Sequence, residues 1–186
     1  YDANDLIQFY SDKDIKSLIL INPDNPTGNY IKKASILELL NWCKEKDITF
    51  ILDESFVDFA EEEGSSFINE EYLNLYDKFI VVKSISKSYG VPGVRLGVLC
   101  TSNINLINHI KKDVSIWNIN SFGEFYLQIY EKYKKDYAVA LKNIKHARKI
   151  FIDKLKDVKE FRVIPSEANY VTIEVLEGTS KELCIS

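Results

Sequence analysis

The chain has 186 residues, 46% of them hydrophobic and 28% charged, with a net charge of −4 and an isoelectric point near 5.3. That balance excludes a disordered segment and leaves no basic footprint for nucleic acid. The longest apolar runs, Ser17 to Ile21 and Ile48 to Leu52, are far too short to cross a bilayer.

The N-terminal residues Tyr1-Asp2-Ala3-Asn4-Asp5 show no positive region followed by an apolar one, so no secretory signal is expected. Methionine is absent, as expected of a piece of a longer protein. Cys43, Cys100 and Cys184 are widely separated and odd in number, which argues against a disulfide framework and shows no metal-ligand spacing. A reducing, cytoplasmic setting is expected.

In chain order, the apolar and β-branched runs Leu18 to Ile21, Thr49 to Leu52, Phe79 to Val82 and Leu96 to Cys100 predict buried strands of one sheet. Between the first two, Ile36, Leu37, Leu39, Leu40 and Cys43 recur at helical spacing over Ala34 to Lys46. The resulting β-α-β unit predicts parallel strands joined by a right-handed crossover. From Ser121 to about Leu155, Phe122, Phe125, Ile129, Tyr133, Tyr137, Leu141, Ile144 and Phe151 follow a drifting 3.6-residue stripe. One long helix or two is expected there, with the aromatics in the core. Lys132, Lys134 and Lys135 lie among acidic residues and read as a solvated helix face. After Val158 the pattern turns to two strands, Phe161 to Pro165 and Tyr170 to Val175. The expected fold is α/β, with a central, mostly parallel sheet in residues 1–157 and the start of a small α+β domain in 158–186.

Three segments follow predicted strands, at the carboxyl ends where open parallel sheets build ligand sites. Asn22-Pro23-Asp24-Asn25-Pro26-Thr27-Gly28 is a rigid turn, since proline fixes φ and Gly28 permits conformations other residues avoid. It serves either as a turn alone or as a platform for the Asn25 amide. Asp53-Glu54-Ser55-Phe56 puts a carboxylate at the end of a strand expected to be buried on both faces. Asp53 there either caps the next helix or pairs with a protonated ring nitrogen of a ligand. Ser84-Ile85-Ser86-Lys87-Ser88-Tyr89-Gly90-Val91-Pro92-Gly93-Val94-Arg95 mixes hydroxyls, glycines, a lysine and an arginine. It reads as a surface loop or as a cradle for a phosphorylated ligand beside a lysine nucleophile. It lacks the spacing of a P-loop, and nothing in the chain resembles a Rossmann glycine motif, so a nucleotide is the weaker candidate.

In order and separation the three segments resemble the fold-type I pyridoxal-phosphate (PLP) enzymes of the class I/II aminotransferase superfamily. The resemblance is strong from Leu18 to Cys100 and looser through Asn169-Tyr170, which is similar to a small-domain segment that places Asn169 near the substrate. It implies that Lys87 holds the cofactor as a Schiff base, that Asp53 pairs with the pyridinium nitrogen, and that Asn25 bonds the phenolic oxygen. It further implies that Ser84, Ser86 and Arg95 hold the phosphate.

Within the superfamily the wording is closest to the histidinol-phosphate aminotransferase and threonine-phosphate decarboxylase group. Phe56 stands where the aminotransferases usually carry a tyrosine. Val91 to Gly97 and Ile116-Trp117-Asn118-Ile119-Asn120 resemble the decarboxylase pattern. Two parts implied by the resemblance do not occur in the sequence: an upstream glycine-rich turn completing the phosphate cup, and a downstream arginine for the substrate carboxylate. The implied protein is a homodimeric aminotransferase or α-decarboxylase of amino acids or amino phosphates. The alternative is a non-catalytic PLP- or amino-acid-sensing module of a regulator or fusion protein.

Overall fold

The computed structural model describes residues 1–185, and side chains through residue 184. Helix α1 (Ala3–Tyr10) opens on a capping box in which Asp2 accepts the Asp5 N–H and Asp5 accepts the Asp2 N–H. Two donors that a helix start would leave free are thereby satisfied. Strand β1 (Ser17–Ile21) leads into the proline-rich turn, helix α2 (Lys33–Glu45) returns, and β2 (Thr49–Asp53) follows. On α2, Ile36, Leu39, Leu40 and Cys43 form a stripe at i, i+3, i+4 and i+7 that is 0–1% exposed. This stripe lies on the sheet with Leu18, Leu20, Phe50, Leu52, Phe79 and Val81.

A long connection containing a 3-10 turn (Val57–Phe59) and the short helix α3 (Glu70–Leu73) leads to β3 (Phe79–Ser84). Strands β1, β2 and β3 are parallel, with Leu18 opposite Phe50 and Phe50 opposite Phe79. The two phenylalanine rings stack at 5.5 Å. A one-turn helix, α4 (Ile85–Ser88), and a 3-10 turn (Pro92–Val94) then reverse the chain. Strand β4 (Gly97–Cys100) therefore returns antiparallel to β3, giving the sheet order β1-β2-β3-β4. Helices α5 (Ile104–Asp113), α6 (Ser121–Ile129) and α7 (Lys134–Lys156) follow, then the antiparallel pair β5 (Phe161–Val163) and β6 (Ile173–Val175), and α8 (Ser180–Ile185).

The four strands form one mostly parallel sheet, as the sequence predicts. Their burial on both faces does not hold. The pleat sends alternate residues to opposite sides, and α1 and α2 pack on the side of Leu18 and Leu20. Ile19, Ile51 and Ile80 line up across the other side, where Ile19 is 66% exposed.

The stretch after Ser121 is two helices, broken by a 3-10 turn at Tyr130–Tyr133. Its aromatics are not a core stripe: Phe122 is 81% exposed, Phe125 59% and Phe151 54%. Helix α7 leans on the Val57–Phe59 turn and β5, and this narrow contact covers Tyr137, Leu141 and Arg148 instead. Among the described residues no helix is long and apolar enough to cross a membrane, and no three metal-ligating side chains cluster. All three cysteines are free.

Candidate active site

At the carboxyl ends of β2 and β3 a cavity of about 490 Å³ is lined by Asp53, Ser55, Ser84, Ser86 and Arg95, with Leu99 on its apolar side. Asp53 ends β2 and is half-buried; its Oδ1 accepts the Ser55 N–H at 2.8 Å. The expectation of a fully buried Asp53 is thus corrected, because its side chain falls on the open face of the sheet. The fully buried carboxylate is its neighbour Glu54, 1% exposed, which accepts the Ser66 hydroxyl at 2.7 Å and the Phe67 N–H. Burial raises the Glu54 carboxyl above its ordinary range, opposed by those two hydrogen bonds. Ser55 joins the two strand ends, its hydroxyl accepting the Ser84 N–H at 3.0 Å.

Helix α4 presents alternate side chains to different surroundings. Ser86 and Ser88 are buried, while Lys87 between them is exposed. The Ser86 hydroxyl accepts the Leu96 N–H at 3.2 Å and so ties α4 to the segment that follows Arg95. Arg95 itself has φ 56°, a left-handed conformation that costs a side-chain-bearing residue about 1–2 kcal/mol. Its guanidinium is exposed to the cavity and has no hydrogen-bond or ion-pair partner among the described residues. A cation held in a strained backbone beside serine hydroxyls suits an anion such as a phosphate.

The Lys87 ammonium lies 4.2 Å from the centre of the Phe56 ring and makes no hydrogen bond or ion pair among the described residues. Its neighbour in the sequence of lysines, Lys83, is bound instead, 2.7 Å from Asp58, whose other oxygen accepts the Tyr137 hydroxyl at 2.8 Å. Tyr137 stacks on Tyr89 at 4.2 Å, so α7 holds both ends of the turn that carries Lys87. Burial, then the Asp58 charge, push the Tyr137 phenol far above its usual value, which keeps it a donor.

The structure therefore gathers Asp53, Ser84, Ser86 and Arg95 around one cavity, with Lys87 on the same short helix as Ser86. Asn25 is not among the lining residues; it is exposed in the turn after β1, between the cis bonds Asn22–Pro23 and Asn25–Pro26. Asn169 is exposed and lines a separate cavity of about 270 Å³ with Arg148, Phe151 and Tyr170. Sequence reasoning missed Ser55, Asp58, Lys83, Arg148 and Ser166, whose roles depend on partners far along the chain. Arg148 bonds the carbonyls of Phe59 at 2.8 Å and Ala168 at 2.9 Å and pairs with Glu61. Only the Asn169-Tyr170 pair gave a signal for that region.

The sequence profile of the family described as aminotransferase class I and II matches residues 1–186. L-serine phosphate decarboxylase of Campylobacter jejuni is 34% identical over 179 residues, covering 94% of this chain and 45% of the relative. Histidinol-phosphate aminotransferase of Clostridium kluyveri is 36% identical over 177 residues, covering 93% of this chain and 47% of the relative. The solved structure of a decarboxylase from Sulfurospirillum multivorans superimposes with a TM-score of 0.86 at 31% identity, covering 100% of this chain and 53% of that one. The chain spans about half the length of the curated relatives it matches. A profile matched along all its residues shows that the chain belongs to the aminotransferase class I and II family, whose cofactor is pyridoxal phosphate.

Proposed function

We propose that this chain carries the cofactor-holding part of a PLP-dependent enzyme that acts on an amino acid or amino phosphate, by amino transfer or α-decarboxylation. The observation that carries the reading is the free ammonium of Lys87 on the helix that also supplies Ser86 to a cavity shared by Asp53 and Arg95. The donor set fits the group: a guanidinium and two serines for a phosphate, a carboxylate for a ring nitrogen, and an amine for a carbonyl carbon.

Bound PLP supplies an electron sink for the carbon beside the substrate's amino nitrogen. In this reading Arg95, Ser84 and Ser86 bind the phosphate, and Asn25 bonds the phenolic oxygen. Asp53, steadied by the Ser55 N–H, holds the proton on the ring nitrogen. Lys87 provides the amine that anchors the cofactor and then moves a proton at the substrate's α-carbon. Phe56 gives Lys87 an apolar surface without competing for its hydrogen bonds. Both relatives above are named for substrates that bear a phosphate, which supports a phosphorylated amine or amino acid here. They are named as enzymes, so a non-catalytic sensing module is not favoured. The division into a large domain, 1–157, and a small one, 158–186, whose last residue lies outside the described residues, is part of the proposal. So are a homodimer and a cytoplasmic setting, with no nucleic-acid or membrane partner.

The test is borohydride reduction of the full-length protein with PLP, followed by peptide mapping. A pyridoxyl adduct on Lys87 is expected, and an adduct elsewhere overturns the assignment. Incubation with phosphoserine or phosphothreonine, and with histidinol phosphate plus 2-oxoglutarate, separates carbon dioxide release from amino transfer.

A further inference from the structure

Resting on the PLP reading, we infer that Tyr170 and Thr172, from the segment between β5 and β6, are positioning residues that set Asn25 against the cofactor. The turn bearing Asn25 is held from outside by three hydrogen bonds to alternate backbone carbonyls. The Tyr170 hydroxyl donates to Asp24 O at 2.6 Å, the Thr172 hydroxyl donates to Pro26 O, and the Glu167 N–H donates to Gly28 O at 2.8 Å. The carbonyls of both residues next to Asn25 are therefore occupied, and the Asp24–Asn25 and Pro26–Thr27 peptide units cannot rotate without breaking a bond. Within the turn, Asp24 also accepts the Thr27 hydroxyl, and Asp24 O accepts the Gly28 N–H at 2.7 Å. Nothing in that inner set reaches the Asn25 side chain, so its direction is inherited from the backbone.

Tyr170 is itself firmly placed. Its carbonyl accepts the Ser166 hydroxyl at 2.6 Å, and that same oxygen of Ser166 accepts the Ala168 N–H at 3.1 Å. Ala168, fully buried, packs with Phe56 and Phe59 and accepts from Arg148. The Tyr170 ring meets the Phe56 ring edge-on at 5.1 Å, and the same Phe56 ring has the Lys87 ammonium 4.2 Å from its centre. One side chain from the small-domain segment thus touches the wall beneath Lys87 through its ring and the Asn25 turn through its hydroxyl. Burial and the Asp24 charge push the Tyr170 phenol up to about 12, so it remains a donor throughout the neutral range.

The variants Tyr170→Phe and Thr172→Val each delete one of these hydrogen bonds and keep the bulk that packs on neighbours. In full-length protein reconstituted with PLP, each is expected to weaken cofactor binding about threefold to tenfold, the scale of one hydrogen bond. Each should also displace the pH titration of the bound cofactor's visible absorption in the direction given by Asn25→Ala, at an unchanged thermal midpoint of the apoprotein. A merely structural role would move the midpoint and leave the titration in place. Titrations that coincide with the parent in both variants overturn the positioning role while leaving the Lys87 adduct intact. A parent protein without that adduct overturns the PLP reading and this inference with it.

Discussion

Gly28 and Ser166 are in such close contact that no side chain fits between them: a Cβ on Gly28 would lie 2.0 Å from Ser166 Oγ and 2.5 Å from its Cβ. Gly28 also has φ +77°, in the left-handed region. Gly28→Ala therefore combines backbone strain with a clash against a backbone-anchored serine, and should cost about 2–4 kcal/mol. Urea unfolding of the full-length protein checks this. A loss within a few tenths of a kcal/mol would show that the two segments separate freely.

Lys87→Ala and Lys87→Arg distinguish amine chemistry from charge. Arginine keeps a cation for the Phe56 ring yet offers no amine to a carbonyl carbon. Both variants should lose the borohydride-stable adduct and lower turnover about a thousandfold or more. Retained turnover in Lys87→Arg would sink the nucleophile assignment.

Arg95→Gly separates folding from binding at one position. Glycine relieves the left-handed strain, about 1 kcal/mol, so the apoprotein should melt no lower than the parent. Cofactor affinity should fall at least about tenfold with the loss of a charge-assisted pair. Equilibrium dialysis against PLP and a thermal melt read the two effects independently.

The buried Lys83–Asp58 pair, with side chains 10% and 18% exposed, predicts a strongly non-additive cycle. Asp58→Leu alone strands a buried ammonium and should cost about 3–5 kcal/mol, while Lys83→Met combined with it should recover most of that loss. Equal losses in the single and double variants would mean that the ion pair is not what holds β3 to the 3-10 turn.

Glu54 gives a pH signature. Its carboxyl is raised in the folded chain by burial, so acidification protonates it there before it does so in the unfolded chain. Its contribution to stability is fully present below the ordinary carboxylate value and is lost as pH rises through the folded value. The stability difference between the parent and Glu54→Gln should therefore shift in the parent's favour as pH falls from 7, then level off below about 4.5. A flat difference would show that the hydrogen bonds from Ser66 and Phe67 cancel the burial penalty.

The sequence by itself determined the four strands of the main sheet, the helix between the first two, and the order of the three motifs, because periodicity and turn chemistry act over a few residues; the strand expected from Tyr170 begins only at Ile173. The alternation of Leu18, Ile19 and Leu20 could not say that one face of β1 is covered and the other open, since the covering helices come from elsewhere in the chain. Lys87, Asp53 and Arg95 were recognisable by type and by their place after strands. Ser55, Asp58, Tyr137 and Ser166 were not, since a serine or tyrosine acquires a role only from what it touches, and Tyr137 meets Asp58 across 79 residues. Tertiary structure alone decided that the exposed aromatics of α6 and α7 are not core. It also decided that the turn bearing Asn25 is held by the segment after β5, because those contacts form only when distant parts of the chain pack together.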